Sequence, residues 1–171
     1  ITFNGPGTAI VMERTGAGTW VARITNFDTF VDWMSAAVDG SDNLHIAYGR
    51  GSSGVRWRKY STSTWALLDS LSLTAATNSQ VSVALDSGGD AHIAWRHNNG
   101  ADFDVAYRRQ AAGVWQAQQL ISATAYTDVA LSIDASDNIY VFFGDGTNLF
   151  YAKSIDNGAT FAADVTLAPA V

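Results

Sequence analysis

A short pattern occurs three times in the chain at nearly equal spacing. Its copies span 38–48, 85–95 and 133–143, and each joins an aspartate-containing turn to a run of apolar and aromatic residues. The aspartates that open the turns are Asp39, Asp86 and Asp134, so the period is 47 to 48 residues. Regular repetition at this length requires a fold built from one supersecondary unit used several times.

Each repeat continues with two further strand-like segments. An apolar residue marks the third segment of every unit, namely Met12, Trp57, Tyr107 and Tyr151. An aromatic residue is expected to open the fourth segment, namely Trp20, Trp65, Trp115 and Phe161. Four short strands in a period of about 45 residues are typical of a β-propeller blade. The sequence therefore predicts an all-β propeller with four-stranded antiparallel blades.

The predicted domain is a single partial propeller over residues 1–171, with blades at approximately 1–30, 31–78, 79–126 and 127–171. Ile1 to Phe3 align with the second strand of a blade, so the first blade is expected to be incomplete, which gives about three and three-quarter blades. Propellers close with about 4–8 blades, and open strand edges are avoided. We therefore expect further blades outside this chain or self-association.

Composition excludes several classes of function. The net charge is −6 with only 10 Lys and Arg residues, which disfavours a nucleic-acid partner. There are no cysteines, so disulfides and thiolate metal sites are excluded, and no apolar run is long enough for a membrane span. No metal and no cofactor are predicted. The composition, poor in lysine and rich in serine, threonine and alanine, favours an extracellular or cell-surface location.

One outer turn has a more specific pattern. Residues 154–161 read Ser-x-Asp-x-Gly-x-Thr-Phe, in which the Asp can accept turn amides and the Gly can take a positive φ. This segment resembles the Asp-box of the sialidase-like (BNR) β-propellers, in which Ser154, Asp156, Gly158 and Phe161 would be structural. The other three outer turns are two residues shorter and lack the Asp, as in degenerate boxes of that family.

The resemblance does not extend to catalytic residues. Sialidases of this family bind the substrate carboxylate with arginines, one of them in an Arg-Ile-Pro motif, and use a Tyr/Glu nucleophile pair and an Asp acid. Here the nearest string is Arg23-Ile24-Thr25, and Glu13, the only glutamate, lies on an expected outer strand. No catalytic residue is therefore predicted, and a non-enzymatic role is favoured.

Two recurring features could be structural or functional. The turns at 39–43, 86–90 and 134–138 are rich in Asp, but none fits the EF-hand spacing, so turns are favoured over metal sites. His45 and His92 occupy the same repeat position, where the next unit has Tyr140. A recurring position indicates packing or hydrogen bonding within the repeat rather than a metal-binding or catalytic histidine.

A candidate binding surface lies on the face that carries the loops between second and third strands. Different polar residues occupy one repeat position there, Arg50, His97 and Asp145. The neighbouring candidates are Arg96, Trp33, Tyr126 and Asp128, with Asp32, Asn98 and Asn99 nearby. Loops on a rigid scaffold often bind ligands, although variation in solvated loops explains the same pattern. Phe27, Phe30 and Trp33 could either cover the joint between blades or form a binding platform.

The function predicted from these features is a non-catalytic binding module. Carbohydrate is the favoured ligand only because propellers of the resembled family often contact carbohydrates, and a shared fold is weak support for a function. Two alternatives remain. The chain could be a fragment of a sialidase-like glycoside hydrolase with its catalytic residues elsewhere, or a structural subunit that assembles through its open blade edges.

Overall fold

The structure is a computed structural model that describes residues 2–3, 9–25, 27–28, 30–50, 53–73, 80–100, 102–122 and 128–169. Its regular elements are antiparallel strands arranged in consecutive sheets. The predicted all-β fold is therefore confirmed. Along the chain, the sheets are called the first, second, third and fourth sheet below.

Each sheet uses its strands in chain order. The first sheet contains β1 (Thr2–Phe3), β2 (Ala9–Arg14) and β3 (Trp20–Ile24). The second contains β4 (Trp33–Val38), β5 (Asn43–Gly49), β6 (Val55–Ser61) and β7 (Leu67–Ser72). The third contains β8 (Val81–Leu85), β9 (Ala91–Asn98) and β10 (Phe103–Ala111), followed by β11 (Val114–Trp115) and β12 (Gln119–Ser122), which both pair with β10. The fourth contains β13 (Asp128–Ile133), β14 (Ile139–Gly144), β15 (Asn148–Ser154) and β16 (Val165–Pro169).

The prediction was wrong about where two of the outer strands begin. Trp65 was expected to lie within the fourth strand of its unit, but it has a φ of 59° and β7 begins at Leu67. Phe161 likewise precedes β16, which begins at Val165. A residue with positive φ cannot continue an extended strand, so Trp65 belongs to its turn. Both aromatic side chains pack against buried apolar clusters.

The second strands of the middle sheets are buried on both faces. In β5, Ile46 packs with residues of the first sheet, and its neighbour Ala47 packs with residues of the third. In β9, Ile93 packs with the second sheet, and Ala94 packs with the fourth. Because successive side chains of a strand point to opposite faces, each middle sheet contributes to two apolar clusters. The sheets therefore stack face to face.

One aromatic contact recurs between neighbouring sheets. The ring of Trp115 lies 5.1 Å from that of Trp57 in the preceding sheet, at an interplanar angle of 74°. The ring of Phe161 meets Tyr107 in the same way, at 4.8 Å and 73°. Edge-to-face pairs of this kind add stabilisation to the burial of the rings. In the third and fourth sheets, the aromatic residue after the outer turn thus fixes its sheet on the one before.

The first strands are joined by serine side chains. β8 contacts both β4 and β13. The Val83 N–H donates to Ser35 Oγ at 3.1 Å, and the Leu131 N–H donates to Ser82 Oγ at 3.0 Å. These serines occupy equivalent positions in β4 and β8, and each satisfies a backbone donor on the open edge of the next first strand.

The turn at 154–161 has a dense set of internal hydrogen bonds. Asp156 accepts from Ser154 Oγ at 2.6 Å, and from the Thr160 N–H and Oγ1 at 2.9 and 2.6 Å. The Gly158 N–H donates to Ser154 Oγ at 2.8 Å. The serine, aspartate and threonine of the pattern thus close the turn, and Asn157 and Gly158 form its tip with positive φ.

Candidate functional site

The predicted binding residues lie along one edge of the stacked sheets, called here the loop edge. It is formed by the ends of β5, β9 and β14 and the residues at the beginning of β4, β8 and β13 in the same sheets. The Asp32 N–H donates to the Gly49 carbonyl, the Arg96 N–H donates to the Gln80 carbonyl, and Asp128 pairs with Gly144. Tyr126 lies outside the described residues.

The charge cluster around Asp28 anchors Arg50 at this edge. The carboxylate of Asp28 lies 3.1 Å from Arg50 Nε, 3.7 Å from Arg56 Nη1 and 3.4 Å from Arg58 Nη2. It also accepts a hydrogen bond of 2.9 Å from the Tyr48 hydroxyl. Burial, with the bond to Asp28, raises the pKa of Tyr48, so this phenol remains a donor. Three guanidinium groups around one carboxylate leave the cluster positively charged.

The aromatic residues of the crossing into the second sheet divide between packing and exposure. Phe27 is buried, its ring lies 4.6 Å from that of Tyr48, and its carbonyl accepts a hydrogen bond from Arg58. Phe30 and Trp33 are 69% and 49% exposed. Trp33 pairs with Gly49 in the ladder, and the next residue, Met34, pairs with Tyr48 on the face toward the first sheet. Trp33 therefore points to the opposite face of the second sheet from Tyr48. Phe27 therefore covers the joint between sheets, whereas Trp33 exposes an aromatic ring at the loop edge.

In the third sheet, the candidate residues Arg96 and His97 make contacts within their own sheet. The guanidinium of Arg96 lies 3.4 Å from the centre of the Phe103 ring, which is a stacking distance. His97 Nδ1 lies 3.8 Å from the buried carboxylate of Asp104, which also accepts from Asn99 Nδ2 at 3.0 Å. Arg96 and His97 are thus positioned by the strand next to them, β10, and by their own loop.

The fourth sheet uses its two candidate aspartates structurally. Asp145 accepts from the Thr147 and Asn148 amides at 2.7 and 2.6 Å, and these bonds lower its pKa. The carboxylate of Asp128 accepts from Gln80 Nε2, while Gln80 Oε1 accepts from the Val129 N–H at 3.2 Å. Asp145 therefore closes its own loop, and Asp128 helps to join the third and fourth sheets.

The aspartate-rich turns lie at the opposite edge, called here the turn edge, and they share one hydrogen-bond pattern. The Oδ1 atom of Asp39 accepts from the amides two and four residues later, at 2.9 and 2.8 Å. Asp86 and Asp134 accept in the same way. These bonds confirm that the segments are turns. The described residues contain no group of three His, Cys, Asp or Glu residues arranged to hold a metal ion.

The histidine position of the repeat completes these turns. His45 Nε2 lies 3.2 Å from Asp39, and His92 Nε2 lies 3.4 Å from Asp86. In the fourth sheet the Tyr140 hydroxyl donates to Asp134 at 3.3 Å. The prediction of a hydrogen-bonding role within the repeat is confirmed. Burial is the main reason that the pKa values of both histidines are lowered.

A polar cavity of about 390 Å³ opens on the turn edge between the second and third sheets. Its wall includes the Asp39–Lys59 ion pair, in which the charged atoms are 2.9 Å apart, and the buried Trp57. Gly40 and Gly89 also line it. Sequence analysis did not find this cavity. The sequence does contain a sign of it, because the repeat equivalent of Gly40 is Ser87 and that of Gly89 is Asp137, and both of these residues have polar side chains.

Among the described residues, no helix has the length and apolar character needed to cross a membrane.

No family model matches the sequence, and no curated protein matches it. The structure is similar to a protein of unknown function from Dyadobacter fermentans, with a TM-score of 0.70, 9% identity, and coverage of 92% of this chain and 57% of that one. It is also similar to an ulvan polysaccharide lyase bound to -[GlcA(1-4)Rha3S]-, with a TM-score of 0.61, 15% identity, and coverage of 96% and 56%.

A third similar structure is the Aleuria aurantia lectin in complex with Fucα1-6GlcNAc, with a TM-score of 0.60, 18% identity, and coverage of 96% of this chain and 54% of the lectin. The chain thus spans little more than half the length of these proteins. At such identities the similarity shows a shared β-fold, and several of the proteins that have this fold are related to glycans.

The titrations of the turn edge predict how stability depends on pH. The pKa values of His45 and His92 lie below the ordinary 6.5 in the folded protein, so below pH 6.5 the unfolded chain binds more protons. The contribution of the two histidines to the free energy of unfolding should be complete above pH 6.5 and decrease as the pH falls below that value. The lowered pKa values of Asp39 and Asp86 predict a further fall below their ordinary 3.8.

Urea unfolding between pH 8 and pH 3 measures both effects. In a variant with His45→Gln and His92→Gln, the free energy of unfolding should change much less between pH 6.5 and 5. It should still decrease below pH 3.8, because the aspartates are unchanged. Unfolding free energies that stay constant from pH 7.5 to pH 5 in the unmodified protein would contradict the assignment.

Proposed function

We propose that the chain is part of a β-propeller that binds carbohydrate without catalysing a reaction, and that the binding site is on the loop edge. The observations that carry this proposal are two features of the loop edge, namely the exposed ring of Trp33 and the Arg50 side chain, which the carboxylate of Asp28 holds at 3.1 Å. A sugar presents an apolar C–H face and a rim of hydroxyl groups. An aromatic plane and fixed polar side chains at one edge can bind these two parts of a sugar.

The charge of the Asp28 cluster favours acidic glycans. Arg50, Arg56 and Arg58 surround a single carboxylate, and their side chains are 16%, 34% and 22% exposed. Guanidinium groups bind carboxylate and sulfate oxygens through paired hydrogen bonds. Because Arg50 and Arg58 are already fixed by Asp28, they lose little conformational freedom when a ligand binds. Glycans with uronate or sulfate groups are therefore the proposed ligands.

The similar structures support carbohydrate as the ligand class. One is a lectin in complex with a fucosylated disaccharide, and another is a lyase bound to a unit of glucuronate and sulfated rhamnose. The sheets would be consecutive blades, since their first strands lie side by side and their faces stack. The Ser154 to Phe161 turn would be an Asp-box, as in the sialidase-like propellers. The protein would act outside the cell or at its surface.

A binding measurement tests the proposed site. Isothermal titration with a panel of neutral, uronate-containing and sulfated oligosaccharides should detect binding of acidic members. Trp33→Ala should weaken that binding at least tenfold through loss of the aromatic plane, while Trp33→Phe should retain most of it. Arg50→Gln should weaken binding of acidic glycans more than binding of neutral ones.

Two results would contradict the proposal. One is the absence of binding to every member of the panel, or binding that Trp33→Ala and Arg50→Gln leave unchanged. The other is release of new reducing or unsaturated ends when the protein is incubated with a bound glycan, which would establish the enzymatic alternative.

Self-association would use the exposed Trp20. Its equivalents Trp65, Trp115 and Phe161 pack with the preceding sheet, but Trp20 is 59% exposed. We propose that this ring packs on the third strand of a sheet in another copy or in a further blade. Light scattering should give a mass above the 18.2 kDa of the chain, and Trp20→Ser should reduce it. A folded 18.2 kDa species at all concentrations would exclude association between copies.

A further inference from the structure

The second strand of the fourth sheet is buried on one face only. In the third sheet, β9 is buried on both faces over residues 91–95, whereas burial alternates along β14. Val141 and Phe143 are buried and pack with the third sheet. Tyr140 and Phe142 point to the opposite face and are only partly buried. This face of the fourth sheet is called here the end face.

Aromatic side chains line the end face. In the ladder, Phe142 pairs with Tyr151 and Tyr140 pairs with Lys153, so these four side chains lie on one face. The rings of Phe142 and Tyr151 are 6.2 Å apart, and the rings of Tyr140 and Phe142 are 6.4 Å apart. Lys153 Nζ lies 5.0 Å from the centre of the Tyr140 ring. The end face is thus a partly buried aromatic surface with one basic group.

The position of Tyr151 receives an aromatic ring at two junctions within the chain. Tyr151 occupies the ladder position of Trp57 and Tyr107 in the third strand of its sheet. Those two rings are contacted edge to face by Trp115 and Phe161 of the following sheet. The end face therefore has the receiving half of a recurring contact. The described part of the chain has no sheet after the fourth that could supply the other half.

The first sheet exposes the matching half. Trp20 pairs with Arg14 in the ladder, so both side chains lie on the same face. Ala9 and Val11 alternate with Arg14 along β2, and they pack with the second sheet. Trp20 therefore points away from the second sheet, and it is 59% exposed. Its ring projects from the face on which a preceding sheet would lie.

The residue paired with Tyr151 is larger than its equivalents, and this difference fits the first sheet. Phe142 stands where the second and third sheets have Ala47 and Ala94. These alanines pack with the first strands, β8 and β13, of the sheets that follow. Within the described residues, the first sheet has three strands and no equivalent of β8. The ring of Phe142 would fill the space that such a strand occupies at the other junctions.

We propose that the end face is a docking surface for the first sheet of a second copy of the chain, with the Trp20 ring packed on Tyr151. The inference rests on the self-association proposed for Trp20, names the surface that receives this ring, and does not depend on glycan binding. Because the contact joins two different surfaces, the copies associate head to tail. The chain spans little more than half the length of the similar structures, so two copies would supply the length of one such fold.

Analytical ultracentrifugation of two variants and of their mixture tests this contact. Trp20→Ser removes the projecting ring, and Phe142→Asp places a charge on the end face. Each variant alone should associate about tenfold more weakly or less than the unmodified chain, because neither has both halves of the contact. An equimolar mixture should recover dimers of about twice 18.2 kDa, because the Trp20→Ser copy keeps its end face and the Phe142→Asp copy keeps its Trp20.

Val114→Asp is the matched control. Val114 is 64% exposed on β11 of the third sheet, away from the first and fourth sheets, so this variant should associate as the unmodified chain does. Urea unfolding shows whether each variant is folded. Tyr151→Ser, which removes the ring beneath Trp20, replaces Phe142→Asp if that variant does not fold.

Three results would overturn the proposal. If Trp20→Ser abolishes association but Phe142→Asp and Tyr151→Ser leave it unchanged, self-association stands and Trp20 packs on a different surface. If the mixture of variants stays at 18.2 kDa, the contact does not join Trp20 to the end face. If the unmodified chain stays at 18.2 kDa at every concentration, the self-association fails as well, and the glycan titrations then test the loop edge independently.

Discussion

The structure depends on contacts that reach from one sheet to the next. An isolated four-stranded sheet of this sequence would expose apolar side chains on both faces, because strands such as β5 and β9 are buried on both sides. Ile46 and Ala47 are adjacent in the chain, yet they belong to different apolar clusters. Units of this kind gain stability from neighbours rather than from a core of their own. The aromatic residues after the outer turns fix the relative position of neighbouring sheets.

The two edges differ chemically at the positions where the residues depart from the repeat. The loop edge collects three arginines around Asp28 and leaves Trp33 exposed at the beginning of β4, so a positive cluster and an aromatic plane lie at the same edge. The turn edge keeps one aspartate turn in each of the last three sheets, but glycines at 40 and 89 leave one interface open. One scaffold thus presents an arginine cluster on one edge and a cavity rich in carboxylates on the other.

Much of the fold follows from the sequence alone because the repeat positions impose it. Asp39, Asp86 and Asp134 recur at the position that opens a turn. His45, His92 and Tyr140 recur six residues later, and each side chain can form a hydrogen bond to the turn aspartate of its own sheet. The starts of the outer strands were misplaced because the ring of Trp65 packs beneath its turn with positive φ. Propensity along the chain does not show that constraint, which comes from the neighbouring sheet.

The candidate site was predictable in position but not in its interactions. Periodicity placed Arg50, His97 and Asp145 on one edge, yet their partners differ, and Asp145 proved to be a turn-closing residue. Asp28 was missed because its arginines lie 22 to 30 residues away in the chain and form no motif. Only the pairing of the strands brings them together. The cavity was missed because the repeats were compared for what they share, whereas the glycines mark a difference.

The central claim, that each sheet is held by groups reaching from the next, is tested most directly by two matched glycine substitutions. Gly158 and Gly113 have φ values of 77° and 76°, so alanine imposes a similar backbone penalty of about 1–2 kcal/mol at each. Only Gly158 touches the preceding sheet, at Tyr107, whereas a Cβ on Gly113 meets no atom within 4 Å. Chemical unfolding should therefore show that Gly158→Ala costs about 1–3 kcal/mol more than Gly113→Ala. Equal losses of unfolding free energy would contradict the claim.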